Sequence, residues 1–158
     1  MKIMGIDPGT LVVGYGVIIE KNGKASIETY GAIKPPAQQE LSQRLLYIYQ
    51  KLIEILQIYK PDVVAIEKIF CGKNMQTAIR TGEGRGVALL AAASAQIPIY
   101  EYDATTVKKS IVGSGQADKK QVQYMVKTIL NLEKLPTPLD ASDALAIALC
   151  HHHQPKYE

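Results

Sequence analysis

The amino-acid sequence predicts an α/β fold: a mixed sheet of five strands with helices on both faces. Three observations predict this class. Three short apolar segments joined by turn signals open the chain, a long segment with apolar residues at helical spacing follows, and two further apolar segments alternate with helical ones. Antiparallel strands followed by β-α units give such a mixed sheet. We expect residues 1–158 to form a single domain.

The strands are indicated by apolar runs that end at turn residues. They are predicted at residues 2–6, 12–19, 25–33, 63–66 and 97–102. Asn22-Gly23 is a tight hairpin turn between the second and third strands. Gly14 in the second strand would let another backbone come close. The run Val63 to Ile66 is apolar throughout, which is typical of a central strand covered on both faces.

The helices are indicated by apolar residues that recur every three or four positions. They are predicted at residues 40–59, 74–95, 105–111, 119–131 and 138–150. The sequence Thr137-Pro138-Leu139-Asp140 has the pattern of a capping box, with Thr137 as the N-cap and Pro138 at the first helical position. The last helix would then begin at this box.

Composition and charge exclude several classes of protein. Hydrophobic residues make up 47% and charged residues 21% of the chain, which excludes a disordered protein, and no apolar run approaches the ~20 residues of a membrane span. The N-terminus does not have the pattern of a secretion signal. Cys71 and Cys150 lie far apart in sequence, so a reduced, cytoplasmic setting is expected.

The net charge of +3 is distributed unevenly along the chain. Residues 67–127 carry nine Lys or Arg residues against five Asp or Glu residues. A basic middle region favours a polyanionic partner. On charge alone, a solvated lysine-rich surface explains the same pattern.

Asp7 and Glu67 each follow an apolar strand directly. Because the two strands could be neighbours in the sheet, both carboxylates would then point to one place at the sheet edge. Each residue also has an ordinary explanation. Asp7 begins the turn Asp-Pro-Gly, and Glu67 could be a solvated charge at a strand end.

Asp140 and Asp143 are three residues apart and would share one face of the last helix. The alanines around them leave little bulk, so this helix could lie close to the sheet. Asp140 has a structural alternative as the third residue of the capping box. Asp143 lies past the first turn on an otherwise apolar helix, and capping does not explain it.

Four converging carboxylates would repel each other unless cations lay among them. Oxygen ligands select hard ions such as Mg²⁺ or Mn²⁺. Two such ions ~4 Å apart can activate a water and stabilise the leaving 3′-oxygen of a phosphodiester, which leaves a 5′-phosphate. The histidines at residues 151–153 could capture a metal, but we expect a polar tail there.

Five segments of the chain, in order, resemble the RuvC family of Holliday junction resolvases. They are Gly5-Ile6-Asp7-Pro8-Gly9, Ala65-Ile66-Glu67 with Phe70 nearby, GEGRGVALLAAA, EYDATTVKKSIVGSGQADKKQVQYMV and DASDALAIALCHHH. The resemblance runs from about residue 2 to residue 153. Each motif alone is weak, whereas the ordered set is specific.

The resemblance implies an RNase H-like fold and a homodimer that cuts a four-way DNA junction by paired symmetric nicks, in recombination and repair. It implies two Mg²⁺ ions per subunit, with Mn²⁺ as a substitute, and the branch-migration proteins RuvA and RuvB as partners. It assigns Asp7, Glu67, Asp140 and Asp143 as metal ligands, and it places Lys108 and Lys119 near the scissile phosphate. Phe70 would stack on an unpaired base, worth ~1–3 kcal/mol.

The remaining basic residues of the middle region are expected to contact DNA phosphates. They are Lys73, Arg80, Arg85, Lys109 and Lys120. Asp103 adds an acid near the expected site, where it would either support a site residue or cap a helix. Two alternatives stay open: a related RNase H-like nuclease acting on other nucleic acids, and a junction-binding protein without catalysis.

Overall fold

In the computed structural model, which describes residues 1–69, 72 and 74–155, strands and helices follow one another in the predicted order. The strands are β1 (Lys2–Asp7), β2 (Val13–Lys21), β3 (Lys24–Ile33), β4 (Val63–Glu67) and β5 (Ile99–Tyr102). The helices are α1 (Leu41–Tyr59), α2 (Met75–Ser94), α3 (Ala104–Val112), α4 (Lys119–Ile129) and α5 (Leu139–His153). None of these helices is long and apolar enough to cross a membrane.

The five strands form one mixed sheet in the order β3-β2-β1-β4-β5. β1, β2 and β3 pair antiparallel, and the β2–β3 turn is closed by Asn22 and Gly23, whose φ values of 54° and 76° suit a two-residue hairpin. β4 lies parallel to both β1 and β5. The predicted α/β fold class is confirmed.

The helices cover both faces of the sheet, as predicted. Met4 and Ile6 point to the face covered by α1 and α2, where they pack in one core with Ile48 and Leu52. Ile3 points to the opposite face, where a second core contains Leu145 of α5 together with apolar residues of α3 and α4. The alternation along β1 follows from the two-residue period of a strand.

α5 lies almost against the sheet because the strands beneath it carry glycines. A Cβ added at Gly14 would lie 1.9 Å from the backbone oxygen of Asp140, and one added at Gly5 would lie 1.9 Å from that of Ala144. The close approach predicted for Gly14 is therefore confirmed. Its consequence is functional, because it places the start of α5 beside the end of β1.

The predicted capping box at the start of α5 is wrong. Pro138 occupies the N-cap position, where its carbonyl accepts from the N–H groups of Ala141 and Ser142, and no side chain caps the helix. Thr137 lies outside the helix. Capping therefore does not account for Asp140.

Two predicted element boundaries are also corrected. β5 begins at Ile99 rather than at residue 97, because the N–H of Ile97 donates to Ala92 and completes the end of α2. α5 ends at His153 rather than at residue 150, so the three histidines form its last turn and not a polar tail. There, His152 Nδ1 lies 2.8 Å from the buried carboxylate of Glu20, so the last turn of the helix is tied to β2.

Candidate active site

Asp7 and Glu67 stand side by side at the carboxyl ends of two neighbouring parallel strands. The β1–β4 register pairs Ile6 with Ile66, so the next residue on each strand is one of the two acids. Both side chains line the same cavity. The sequence-based expectation that these strands are neighbours is confirmed.

α5 brings the other two acids to this edge. Asp143 lines a cavity of about 280 Å³ together with Asp7, Glu67, Lys108 and Lys119. Asp140 lines a second cavity, of about 580 Å³, which also includes Asp7 and Glu67 in its wall. The two cavities thus share the strand-end carboxylates, and α5 contributes one acid to each.

The pKa of Asp7 is the strongest electrostatic signature of the site. Burial raises it from 3.8 to about 8, and the negative charges of Asp143, Glu67 and Asp140 add to the rise in that order. The other three predicted acids therefore all lie close enough to Asp7 to raise its pKa. Such mutual destabilisation of partly buried carboxylates is typical of functional sites and of sites that bind cations.

Glu67 and Asp143 are perturbed in the same direction. Burial, followed by the charge of Asp143, raises the pKa of Glu67. Burial also raises the pKa of Asp143, while Lys119 opposes this rise. The Lys119 ammonium lies 3.7 Å from a carboxylate oxygen of Asp143. Lys119 therefore offsets only part of the negative charge.

The position of Lys119 is set by a capping box that sequence reasoning missed. Asp118 caps α4: its carboxylate accepts from the N–H of Gln121 at 2.8 Å, and the Gln121 side chain accepts from the N–H of Asp118 at 2.9 Å. Lys119 is the first residue of the helix, and its side chain is 71% exposed. The spacing Asp-x-x-Gln was a recognisable signal.

The donor set fits a hard divalent cation, although the ligands do not yet surround one. Among the described residues, no three His, Cys, Asp or Glu side chains stand in an arrangement that holds a metal ion. The four acids offer only oxygen donors, which Mg²⁺ and Mn²⁺ prefer. The raised pKa values of Asp7, Glu67 and Asp143 indicate a surplus of negative charge that a cation would relieve. Side-chain rotation would have to complete the coordination.

The other predicted cationic residues are distributed over different surfaces. Arg80 lines the 580 Å³ cavity next to the acids. Lys109 lines a separate cavity with Ser110 and His153, and Lys120 is exposed on α4. Arg85 is mostly buried and is engaged by other protein groups. Phe70 and Lys73 lie outside the residues that the structure describes.

Asp103 and the terminal histidines lie apart from the carboxylates. Asp103 is exposed at the N-cap position of α3, where its side chain makes no capping hydrogen bond, and it lines neither carboxylate cavity. His151 Nδ1 and the Tyr102 hydroxyl are 2.5 Å apart. His153 Nδ1 lies 3.0 Å from Ser110 Oγ. The histidines thus attach the end of α5 to neighbouring elements.

Sequence reasoning missed several residues of the larger cavity. Leu11 lies in the turn after Asp7 and is 59% exposed, and Thr77 and Thr81 of α2 flank Arg80 in the same wall. The signal was present, because residues 77, 80 and 81 share one face of a helix. The sequence did not indicate that this face of α2 lies next to the turn after Asp7.

The strand order, with acids at the ends of β1 and β4 and on α5, defines an RNase H-like protein with an acidic, nuclease-type site. Residues 3–151 match the family model of the crossover junction endodeoxyribonuclease RuvC. The chain belongs to this family.

Named relatives and a solved structure agree with the family model. The chain is 52% identical to the crossover junction endodeoxyribonuclease RuvC of Syntrophomonas wolfei, over 97% of this chain and 89% of that protein. It is 48% identical to the RuvC of Dehalococcoides mccartyi, over 98% and 92%. The structure of Thermus thermophilus RuvC in complex with a Holliday junction substrate matches with a TM-score of 0.88, at 36% identity over 96% and 92%.

Proposed function

We propose that this protein is an endonuclease that resolves four-way DNA junctions by paired, symmetric cuts. One observation carries the proposal: the half-buried Asp7 at the end of β1 lies among three further carboxylates, whose charges add to the rise of its pKa. Family membership supports the substrate, since the matching relatives are named crossover junction endodeoxyribonucleases.

The four acids Asp7, Glu67, Asp140 and Asp143 would hold the divalent ions, two per subunit, with Mg²⁺ preferred and Mn²⁺ as a substitute. Held by these acids, such ions would lower the pKa of a water and would stabilise charge on the leaving 3′-oxygen. The protein's own contribution is to supply oxygen ligands from three elements and to give up the Asp7 proton when a cation arrives.

The two carboxylate cavities suggest a path for the cleaved strand. Because both include Asp7 and Glu67 in their walls, a phosphodiester placed at these acids would have a nucleotide on either side. Lys108 and Lys119 would neutralise phosphate on one side, and Arg80 would do so on the other. Phe70 would stack on an unpaired base near the crossover.

A second copy of the chain would supply the second cut, because a four-way junction must be cut on two strands related by symmetry. The outer face of α2 suits such a contact. Met75, Ile79 and Leu90 are 75%, 57% and 59% exposed and recur at helical spacing on this face. A Cβ at Gly86, within the same stripe, would meet nothing within 4 Å. Another helix could therefore approach closely there.

Substrate choice tests the proposal directly. We expect Mg²⁺-dependent cleavage of a synthetic four-way junction to exceed that of a duplex, a fork and an RNA–DNA hybrid of the same sequence. Preference for the hybrid would indicate a related RNase H-like nuclease instead. Tight junction binding without cleavage would indicate a non-catalytic binding protein.

A charge introduced among the exposed apolar residues of α2 tests whether this face forms the dimer interface. Ile79→Glu should yield a monomer in sedimentation analysis and replace paired cuts by single nicks, because a buried unpaired charge opposes association. Ile58→Glu is the matched control, since Ile58 is 70% exposed on α1. Loss of the dimer in the control alone would place the interface elsewhere. The partners RuvA and RuvB and the cytoplasmic location stay predictions.

A further inference from the structure

Arg85 of α2 is held at the active-site edge without lining either carboxylate cavity. Its Nε–H donates to the backbone oxygen of Glu67 at 3.3 Å, and its Nη2 forms a short ion pair with Glu101 of β5. Only 16% of the Arg85 side chain is exposed. Two of its three nitrogens are thus engaged by protein oxygens, so the guanidinium is poorly placed to bind a phosphate.

The Glu67 carbonyl needs such a donor because of the sheet register. The N–H groups of Val64 and Lys68 donate to Pro98 and Tyr102, so the even-numbered residues of β4 face β5. By the alternation of a strand, the Glu67 carbonyl faces β1. The residue after Asp7, just beyond the end of β1, is Pro8, which has no N–H to offer. Arg85 fills this position.

The same turn of α2 also contacts the loop that follows Asp7. A Cβ added at Gly84 would lie 2.4 Å from the backbone oxygen of Gly9. Two successive residues of α2, Gly84 and Arg85, thus contact the loop after Asp7 and the backbone of Glu67. Glu101, which is 40% exposed on β5, anchors the guanidinium from the far side.

We propose that Arg85 is a positioning residue for the cleavage reaction: by tying the end of β4 to α2 and β5, it holds the Glu67 carboxylate opposite Asp7. The proposal rests on the proposed nuclease function. Arg85 touches neither substrate nor reacting atoms in this role. Its planar fork can bond a carbonyl and a carboxylate at once, which the single ammonium of a lysine does less well.

Arg85→Lys and Arg85→Ala test this role, with Arg80→Ala as the matched control on the same helix. For both Arg85 variants we expect kcat for junction cleavage to fall roughly 10- to 100-fold, as for other residues that support ligating carboxylates, with an unchanged junction Kd. Arg80→Ala, at a residue assigned to phosphate binding, should instead weaken the junction Kd. Glu101→Gln, which keeps an oxygen acceptor, should lose less kcat than Glu101→Ala.

Binding of Mn²⁺ alone, followed by electron paramagnetic resonance without DNA, separates this proposal from the nuclease function. A misplaced Glu67 should weaken Mn²⁺ binding in the Arg85 variants even if the wild type cleaves no junction. Wild-type Mn²⁺ affinity and kcat in folded Arg85→Lys would overturn the positioning role. A raised Kd at normal kcat would make Arg85 a DNA contact and would overturn it as well. If Arg85→Ala does not fold, Arg85→Lys decides.

Discussion

Replacing Asp7 by Asn should stabilise the metal-free protein while abolishing cleavage. The pKa of Asp7 rises from 3.8 to about 8 on folding, which corresponds to about 6 kcal/mol at 1.36 kcal/mol per pH unit. Counter-ions and side-chain rotation relieve part of this cost, so we expect a gap of roughly 2–4 kcal/mol at pH 8. Asn has a similar shape but carries no charge to desolvate.

The sign of the pH dependence follows from the raised pKa. The folded protein holds the Asp7 proton more tightly than the unfolded chain, so this contribution to stability is complete below about pH 4 and is lost as the pH rises to about 8. The stability gap between Asp7→Asn and the wild type should therefore be small at pH 4 and should widen up to pH 8.

Urea unfolding in the presence of a chelator, at several pH values, measures this gap. Asp103→Asn is the control, because Asp103 is exposed and lines neither carboxylate cavity. Added Mg²⁺ should then stabilise the wild type more than Asp7→Asn, since the variant has lost a proposed ligand. A gap that does not change with pH would refute the electrostatic reasoning, and full junction cleavage by Asp7→Asn would refute the assigned role.

Three further predictions concern residues at or next to the ends of α4 and α5. Thr137→Ala should lower the free energy of unfolding by less than the ~1 kcal/mol expected for a true helix cap. Asp140→Asn should lose junction cleavage at a nearly unchanged free energy of unfolding. The reverse pattern would restore the capping role. Lys119→Met should shift the acidic limb of the pH–rate profile for cleavage to higher pH, because Lys119 lowers the pKa of Asp7, Glu67 and Asp143. Lys119→Arg keeps the positive charge and should leave this limb unchanged. His152→Ala should lower the free energy of unfolding by roughly 1–3 kcal/mol through loss of its bond to Glu20 and leave cleavage intact. A cleavage defect without a stability loss would contradict this last expectation.

Residue patterns predicted the elements of this fold well because each pattern acts over a few neighbouring residues. The hairpin turn at Asn22 and Gly23 has the positive φ values that this dipeptide favours. The apolar run of β4 marked a central strand, and the acid after it marked the sheet edge. The position of Asp7 and Glu67 at two strand ends was therefore enough to pair these acids.

The start of α5 was harder, because two local patterns competed there. Thr137, Pro138 and Asp140 match a capping box by spacing alone, yet Pro138 occupies the N-cap position. The cavity that Asp140 shares with Asp7 depends on the close approach of α5 at Gly14, more than 120 residues away in sequence. A local residue pattern cannot predict a contact between residues so far apart in sequence.

The sequence by itself therefore determined the strands, the helices, the central place of β4 and the acids at the ends of β1 and β4. Local residue patterns left Asp140 between a helix cap and the acidic cluster, and the tertiary structure decided for the cluster. Only the tertiary structure showed that Arg85 is bonded to the Glu67 backbone. The physical reason is that element type depends on side-chain period and turn chemistry along the chain. Which groups meet in space depends on register and on how closely two backbones pack.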